Sequence, residues 1–359
     1  MSFSPTYPFD LPELPPKIGC NNETFTEWLI KARAEMAELK GYSFSLPNPM
    51  LLLSPALIKE SVESSGIENI NTTVEKVLEQ QLFPEKDQKS EDKEVLRYKD
   101  AIIWGFENMD NFSIGNRLIN GIHEKLLREK SYGLRVMQNH IENTLHHKIL
   151  YTPPAANEIP RLITNWENYL HDETDRTDPL IKCAISHYQF EAIHPFSDGN
   201  GRTGRILMVL YLVKQKILNY PIIFISGYIN QNRNEYYRLL QEVTTNKNWC
   251  PFIEYMLKGF YLQAKSTKDQ FVKFMLLFLR YKKEIKTKCP NYYSFDLVEA
   301  IFAVPVITPV RLSSILGIHR TTATAYLKKL KDEGYLEHQP FGKYQLYINT
   351  ELIKLLRGN

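Results

Sequence analysis

His194-Pro-Phe-Ser-Asp-Gly-Asn-Gly-Arg-Thr-Gly-Arg205 is the stretch from which both the architecture and the chemistry of this chain can be inferred. Gly199-Asn200-Gly201 is too flexible for a helix interior, whereas an apolar pattern with helical spacing follows Arg202. The members of that pattern are Ile206, Leu207, Val209, Leu210 and Val213. The stretch therefore predicts a glycine loop that leads into a helix N-terminus, where unpartnered N–H groups form a cradle for an anion.

The ionisable side chains of this stretch suit phosphate chemistry. Arg202 and Arg205 lie three residues apart on the first helical turn, where two guanidinium groups bind successive phosphates. Asp198 offers a carboxylate to a divalent cation, and His194 is a proton acceptor at neutral pH. Taken singly, the histidine also suits a structural loop and the arginines a solvated face. Taken together, they indicate a phosphate-transfer site.

The same residues resemble the signature of the Fic family, His-x-Phe-x-Asp/Glu-Gly-Asn-Gly-Arg-x-x-Arg, at every fixed position. The resemblance implies an adenylyltransferase that moves AMP from ATP to a Ser, Thr or Tyr hydroxyl of a target protein or of itself and releases pyrophosphate. It assigns the general base to His194 and the Mg²⁺ ligand to Asp198. The implied nucleotide-binding and phosphate-binding positions in the signature are Gly199, Asn200, Gly201, Arg202, Gly204 and Arg205. Doc-like kinases of the wider superfamily carry lysine where this chain has Gly201, so this glycine favours AMP transfer.

An upstream segment, Ser64-Ser-Gly-Ile-Glu-Asn69, resembles the inhibitory motif of the same family, Ser/Thr-x-x-x-Glu-Gly/Asn. Its matching positions are Ser64, Glu68 and Asn69. A serine and a glutamate four residues apart also occur on solvated helices, so the motif depends on the signature downstream for its meaning. The resemblance implies autoinhibition, in which Glu68 pairs bidentately with Arg205 and removes the partner of the γ-phosphate.

Three further segments bear on the site. A helix is expected to begin at a Ser54-Pro55 cap and to end near Ser65. The charged segment from Glu85 to Glu94 indicates a solvated loop. Residues 150–160 are rich in proline and resemble the family's hairpin flap, which binds a target backbone as an added strand; a plain surface loop is the alternative.

Downstream of the signature, residues 226–237 join a loop to a helix. This segment resembles the nucleotide pocket of the family, so Tyr228, Asn232 and Tyr236 are candidates to face the adenine and ribose. Ordinary core packing is the alternative for the two aromatic rings.

The C-terminal residues follow another pattern. A helical pattern from Pro309, a turn at Gly317 and a second helical pattern from His319 have helix-turn-helix spacing, and alternating residues up to Ile348 suit a two-stranded wing. The pattern resembles a winged helix. Eight basic against four acidic residues from position 307 onward are a modest excess for DNA binding, so protein contact is an equal alternative. The residues expected to face DNA are Arg320, Thr321, Thr322, Thr324, Lys328, Lys329 and Lys343.

Together these patterns predict a mainly α protein: a Fic-type helical bundle with a small β-hairpin flap and a C-terminal winged helix. The expected domains are an N-terminal arm and helical region with the inhibitory helix (1–110), a catalytic core (111–290) and a winged helix-turn-helix domain (291–359). Three readings stay open beside AMP transfer: a de-AMPylating enzyme, a transferase of another nucleotide, and a DNA-binding regulator whose Fic lobe senses nucleotide. A homodimer is also open.

The composition excludes little. The 359 residues are 43% hydrophobic and 24% charged, which is ordinary for a globular protein, and a formal net charge of +3 indicates no particular partner. The N-terminus lacks a secretory pattern, and the most apolar run is far shorter than the roughly 20 residues of a bilayer span. Four scattered cysteines indicate reduced thiols. We expect a cytoplasmic protein without membrane contact.

Overall fold

The computed structural model describes residues 3–19, 23–44, 49–143, 148–342 and 344–357. Within these ranges the chain is mainly helical with two small sheets, which confirms the predicted fold class. The elements are α1 (Glu23–Ser43), α2 (Pro49–Ile67), α3 (Val74–Gln80), α4 (Ser90–Asn108), α5 (Asn116–Leu127), β1 (Ile141–Asn143), β2 (Lys148–Tyr151), α6 (Ile159–His171), α7 (Pro179–Ile193), α8 (Asn200–Lys214), α9 (Ile225–Gln231), α10 (Arg233–Asn246), α11 (Trp249–Lys288), α12 (Phe295–Ala303), β3 (Val306–Ile307), α13 (Pro309–Leu316), α14 (Arg320–Asp332), β4 (Glu337–Phe341), β5 (Tyr344–Ile348) and α15 (Thr350–Arg357).

The centre of the molecule is the pair α7 and α8, with the signature at their junction. Both helices are buried on nearly all sides, because α7 packs against α6 and α11 while α8 packs against α2, α4 and α5. A helix covered all round has no single polar face, which explains its continuous apolar residues. The loop between α7 and α8 is therefore held by two rigid helices.

The helix that carries the inhibitory motif is longer than predicted. It begins at Pro49 rather than at the expected Ser54-Pro55 cap, so Pro55 lies inside α2. An internal proline removes one backbone hydrogen bond and costs about 3 kcal/mol. The buried side chains of Leu57 and Ile58, and contacts of α2 with α4, α9 and α12, offset that cost.

Two other expectations around the site are wrong in part. The charged segment 85–94 is not a loop throughout, because α4 begins at Ser90 and includes Glu94. The hairpin is formed by β1 and β2, with Ile141 opposite Tyr151, and lies mostly upstream of residues 150–160. The prolines that follow β2 lack the N–H groups that a strand ladder needs.

The C-terminal elements have the predicted helix-turn-helix and wing. Thr308 caps α13, Gly317 makes the turn before α14 with φ of 64°, and the sheet has the order β3-β5-β4. The wing packs on the N-terminal region, since the Phe83 ring centroid lies 5.6 Å from that of Phe341 and 5.2 Å from that of Tyr344. Helices α12 and α15 also pack against α2.

The helices and cysteines were also compared with the expectations for membrane insertion and disulfide bonding. Among the described residues, no helix is both long and apolar enough to cross a bilayer. Cys183 and Cys289 are free and buried, whereas Cys250 is disulfide-bonded. The expectation of reduced thiols is therefore wrong at Cys250, because separation along the sequence does not measure distance in the fold. Cys20 and Lys343 lie outside the described residues.

Candidate active site

The signature loop is bounded by two residues in the left-handed conformation. His194 ends α7 with φ of 50° and donates its N–H to the Phe190 carbonyl at 3.1 Å. Gly199 precedes α8 with φ of 76°, a value that glycine adopts at little cost. No described side chain caps the first turn of α8. Its first N–H groups are thus unpartnered by side chains at the positive end of the helix dipole, as an anion-binding site requires, and the anion cradle stays a prediction.

Asn200 holds the loop in this shape. Its side-chain oxygen accepts from the Phe196 N–H and its side-chain nitrogen donates to the Phe196 carbonyl, both at 2.8 Å. The buried Phe196 ring stacks on His123 at 3.7 Å between centroids, and His123 Nε2 lies 3.0 Å from the Asp198 carbonyl. Both polar ends of the Asn200 side chain are therefore used within the loop, which leaves its backbone N–H for an anion.

The surroundings of His194 bear on its predicted role as the base. Its Nδ1 has no hydrogen-bond partner within the described part of the chain, and its carbonyl accepts from Arg135 Nε at 2.9 Å. Burial, and then the Arg135 cation, lower the pKa of His194 to about 4. The imidazole is therefore neutral at physiological pH, and its Nδ1 is buried.

Arg205 is engaged by the inhibitory segment. Its Nε donates to Ser64 Oγ at 2.8 Å, and its Nη2 donates to the Ser64 carbonyl at 3.0 Å and to Glu68 Oε1 at 2.8 Å. Glu68 thus contacts Arg205 through one oxygen, not bidentately, and Ser64 takes the other bonds. Burial raises the pKa of Glu68, but the charge and hydrogen bond of Arg205, together with the charges of Arg202 and Arg233, hold the pKa below its usual value. The pair is ionic.

A turn at the end of α2 directs Glu68 toward α8. The N–H groups of Glu68 and Ile70 both donate to the Ser65 carbonyl at 3.0 Å. Asn69 has φ of 63°, a left-handed conformation that Asn tolerates better than most residues, and its Oδ1 accepts from Arg233 Nη1 at 3.2 Å. This explains chemically why asparagine follows the glutamate.

Two signature glycines are required by close approach. A Cβ on Gly201 would lie 2.5 Å from Glu68 Oε1 and 3.0 Å from Arg205 Nη1. A Cβ on Gly204 would lie 2.4 Å from Glu191 Oε1, so this glycine faces α7. Burial raises the pKa of Glu191 to about 7, although the Arg205 charge opposes the shift. Gly201 makes room for the ion pair, and Gly204 makes room for a buried carboxyl.

Arg202 has a partner that the sequence did not reveal. Its Nη1 donates to Glu94 Oε2 at 2.9 Å, and its Nη2 lies 3.7 Å from Asp198 Oδ1. Glu94 belongs to the segment that was expected to be a loop, and no spacing rule connects it to the signature. A charged residue in the first turns of α4 was the only signal available.

Asp198 suits a divalent cation. Its side chain is 68% exposed at the mouth of the anion cradle, and its Oδ1 accepts from the Gly199 N–H at 2.6 Å. The described residues hold no group of three or more metal-ligating side chains. Mg²⁺ typically takes one or two carboxylates and completes its shell with phosphate oxygens and water. A single exposed carboxylate beside a phosphate site fits that chemistry.

The structure separates the three candidates for the nucleotide pocket. Tyr236 is buried and its hydroxyl lies 2.8 Å from His187 Nε2, while the buried Tyr228 ring lies 4.9 Å from that of Tyr255. Core packing accounts for both rings. Asn232 is exposed and donates to the Tyr228 carbonyl at 2.9 Å. Tyr237, which sequence reasoning missed, is 45% exposed, and burial and the Glu68 charge raise its pKa.

Three family models match successive parts of the chain. They are the Fic/DOC family N-terminal model over residues 26–107, the Fic/DOC family model over residues 113–212, and the C-terminal domain of SoFic-like protein adenylyltransferases over residues 277–352. The second model includes the whole signature, and the first includes the inhibitory segment.

Curated relatives match over the central part. The protein adenylyltransferase Fic of Drosophila yakuba is 34% identical over 107 residues, which are 30% of this chain and 20% of that protein. A probable protein adenylyltransferase of Aquifex aeolicus is 39% identical over 92 residues, 26% of each chain. The chain thus spans about a fifth to a quarter of the length of these relatives.

Solved structures share the fold over longer ranges. A Fic family protein from Desulfovibrio desulfuricans G20 has a TM-score of 0.57 at 21% identity and covers 93% of this chain and 98% of its own. Fic-1 from C. elegans has a TM-score of 0.50 at 18% identity and covers 70% of this chain and 72% of its own. With three successive family models, this shared fold and every fixed residue of the signature in place, the chain belongs to the Fic/DOC family.

Proposed function

We propose that this chain is a protein adenylyltransferase, which transfers AMP from ATP to a Ser, Thr or Tyr hydroxyl of a target protein or of itself. One observation carries the proposal: the uncapped N-terminus of α8 lies directly after a loop whose histidine is neutral. A phosphate cradle beside an available base is what hydroxyl attack on a phosphorus needs. The names of the curated relatives support the same activity.

In the proposed reaction, His194 takes the proton of the target hydroxyl as its oxygen attacks the α-phosphorus of ATP. A bond forms between that oxygen and the α-phosphorus, the bond to the β-phosphate oxygen breaks, and its electron pair leaves with pyrophosphate. The first N–H groups of α8 stabilise the charge on the phosphate oxygens. Loss of one such donor costs roughly a hundredfold or more in rate.

The charged residues divide the phosphates among them. Arg202 would bind near the β-phosphate and Arg205 the γ-phosphate. Asp198 would hold Mg²⁺, which supplies charge neutralisation between the α- and β-phosphates. Tyr237 is the exposed ring beside Glu68, so it joins Asn232 as a candidate to face the nucleoside.

We further propose that the described state is autoinhibited. The guanidinium that would bind the γ-phosphate donates to Glu68 and Ser64 instead. Glu68 is 35% exposed, so this carboxylate remains accessible to solvent and to displacement. ATP would then bind with its γ-phosphate away from Arg205.

The test compares labelling of the chain by ATP that is radioactive at the α-phosphate with labelling by ATP that is radioactive at the γ-phosphate. Glu68→Gly should raise incorporation of the α label about tenfold or more, since one charge-assisted bond is lost from the competitor. Adding His194→Ala should abolish it. Glu173→Gly, the same exchange in an exposed loop, is the matched control and should change nothing.

Each alternative has its own result in this assay. Incorporation of the γ label would identify a kinase, and preferential competition by UTP would identify another nucleotide donor. Loss of label from the labelled product when unlabelled wild-type chain is added would identify de-AMPylation. No incorporation of either label into the chain or into a host lysate would overturn the proposed function.

We propose that the winged helix contacts protein rather than DNA. Phe341 of the wing packs on Phe83, and two lysines of α14 are already paired, Lys329 with Glu333 at 2.6 Å and Lys331 with Asp332 at 3.1 Å. A gel shift with genomic fragments at about 50 mM salt should show no complex, because phosphate contacts are strongest at low salt. A salt-dependent complex would contradict this assignment.

The location of the protein is a separate question. The sequence predicts the cytoplasm, whereas a disulfide at Cys250 favours an oxidising compartment. Cell fractionation with thiol labelling under native redox conditions decides between the two. An oxidised Cys250 in a membrane-enclosed oxidising fraction would contradict the cytoplasmic prediction.

A further inference from the structure

Arg202 lies between two carboxylates of unequal exposure. Its side chain is 3% exposed, Glu94 is 26% exposed, and Asp198 is 68% exposed. The Glu94 contact is a hydrogen bond of 2.9 Å, whereas the Asp198 contact at 3.7 Å exceeds hydrogen-bond range. The Arg202 Nε has no partner in the described ranges. The buried cation is therefore compensated mainly from α4.

We propose that Glu94 is a positioning residue that keeps the Asp198 carboxylate available to a divalent cation by engaging Arg202. The inference rests on the proposed function, because the cation would arrive with ATP. Glu94 itself would touch neither nucleotide nor metal. It acts through the arginine.

A buried arginine such as Arg202 needs a partner for its charge. A guanidinium removed from water requires an anionic or hydrogen-bonding partner. Among the described residues, Asp198 is the other carboxylate within 4 Å of Arg202. If Glu94 loses its charge, Arg202 is drawn to Asp198 and closes the gap of 3.7 Å. The same oxygen would then serve the arginine instead of the cation.

The backbone of Glu94 suits this role. Glu94 lies in the second turn of α4, and its neighbours Val95 and Leu96 are buried. Helix α4 packs directly against α8, which carries Arg202. Two packed helices hold the pair at a set distance, so it does not depend on a mobile loop.

The proposal predicts effects of opposite sign. Glu94→Gln makes the site more positive, so nucleotide without a cation should bind more tightly. The cation should bind more weakly, because Arg202 then occupies the Asp198 carboxylate. Damage to the fold would weaken both. The two signs therefore separate a positioning role from a merely structural one.

The experiment uses the full chain with Glu68→Gly, in which Arg205 is released. Binding of Mn²⁺ to the chain with a non-hydrolysable ATP analogue is followed by electron paramagnetic resonance, and binding of the analogue in EDTA by calorimetry. Glu94→Gln should weaken Mn²⁺ about tenfold, as one nearby charge does to an ionisable group, and tighten the cation-free analogue a few-fold. Glu91→Gln, an exposed residue on the same helix, should alter neither by more than about twofold.

A second pair of variants tests the route through Arg202. In a chain with Arg202→Gln, adding Glu94→Gln should change Mn²⁺ affinity by less than about twofold. Glu94 acts through Arg202 in this proposal, and the effects of substitutions at coupled residues are not additive. An equal loss in both backgrounds would show a direct charge effect and overturn the proposal. Weakening of both ligands, or no change in either, would also overturn it.

Failure of this proposal and failure of the proposed function have different signatures. A chain that binds Mn²⁺ and nucleotide with the predicted signs but transfers no AMP overturns only the transferase assignment. A chain that transfers AMP while Glu94→Gln leaves Mn²⁺ affinity unchanged overturns only the role of Glu94. A parent chain that binds no Mn²⁺ with nucleotide overturns both.

Discussion

The two arginines of the signature are each paired with a glutamate from the N-terminal region, yet the two pairs differ in their backbone context. Arg205 meets Glu68 at 2.8 Å and Arg202 meets Glu94 at 2.9 Å, and both arginine side chains are buried. Glu68 lies in a turn beyond the end of α2, whereas Glu94 lies within α4. Nearly equal bond lengths thus occur on a turn and on a packed helix.

The difference fits the two roles proposed for these contacts, regulation by Glu68 and positioning by Glu94. The Glu68 turn depends on two N–H bonds to the Ser65 carbonyl and on a left-handed Asn69, so it can be displaced without unwinding a helix. The backbone of Glu94, in contrast, is held in α4, which packs against α8. The lesson is that the supporting backbone, and not the ion pair itself, decides which glutamate can be exchanged for a phosphate.

Among the variants that keep Glu68, Gly201→Ala should weaken the ion pair between Glu68 and Arg205 most. The new Cβ would lie 2.5 Å from Glu68 Oε1, which is the end of a flexible side chain, so the carboxylate moves instead of α8. Incorporation of AMP from α-labelled ATP should rise about tenfold, the factor that 1.4 kcal/mol represents. The free energy of unfolding in urea should change little, because the helix preference of alanine over glycine, about 1 kcal/mol, offsets the loss of the contact with Glu68.

Gly204→Ala is the matched control for this exchange. Its Cβ would lie 2.4 Å from Glu191 Oε1 and 3.1 Å from the Phe190 ring, inside the packed interface of α7 and α8. It should destabilise the chain by about 1–3 kcal/mol without raising incorporation. Equal activation by both substitutions would contradict a specific effect on Glu68.

Ser64→Ala should weaken the same pair to a smaller extent. Ser64 Oγ accepts from Arg205 Nε, so its loss leaves a buried donor unsatisfied and costs about 1 kcal/mol of unfolding free energy. AMP incorporation should rise only a few-fold, since Glu68 remains. Ser65→Ala is the control, because the buried Ser65 Oγ has no partner in the described ranges. A rise with Ser65→Ala alone would refute this account.

Glu60→Gln tests whether the buried carboxyl of Glu60 in α2 is protonated in the folded state. Glu60 is buried, accepts from the Ser226 hydroxyl and lies 3.4 Å from the Tyr98 hydroxyl; burial raises its pKa from 4.5 to about 8. Because the pKa is raised in the folded state, Glu60 contributes its full stabilisation at pH values below the unfolded pKa of 4.5. This contribution is lost as the pH rises through the folded pKa of about 8. Wild type should therefore lose about 2 kcal/mol between pH 6 and 8 from this group.

The comparison is made by urea unfolding at the two pH values. Glu60→Gln keeps an amide in place of the protonated carboxyl, so its stability should fall less between pH 6 and 8 than that of wild type. An identical pH dependence of both chains would show that Glu60 is ionised in the folded state.

The smallest expected effect concerns the base. Burial and Arg135 lower the pKa of His194, while the Glu68 carboxylate raises it. Glu68→Gly should therefore lower the His194 pKa by a few tenths of a unit in an NMR titration, as loss of one partly screened charge does. Glu94→Gln should leave it nearly unchanged. His194→Ala assigns the resonance, and a rise of the pKa in Glu68→Gly would contradict the charge arrangement.

Several features could be predicted from the sequence because they depend on neighbours along the chain. The turn at Gly199, the helix after Arg202 and the cap at Thr308 follow from local backbone preferences. The helix-turn-helix around Gly317 follows from the same rules. The contact of Ser64 and Glu68 with Arg205 was expected only from family resemblance and not from the spacing, and the inhibitory role of this segment stays a prediction.

Other features could not be predicted because they depend on packing between distant segments. Pro55 lies inside α2 since tertiary contacts offset its local preference to begin a helix. Arg135 reaches the carbonyl of His194 from 59 residues upstream, and His123 stacks on Phe196 from another helix. Burial of Tyr236 against His187 likewise depends on the meeting of α10 and α7.

The sequence by itself determined the chemistry of this protein: a base, a carboxylate, two arginines and flexible glycines at set spacings before a helix. Only the tertiary structure decided which carboxylate each arginine meets, how far the pKa of His194 is lowered and which side chain a Cβ on Gly201 would displace. The physical reason is the separation along the chain over which each effect acts. Loop and helix preferences act over a few residues, whereas charge pairing and desolvation act between groups that packing brings together.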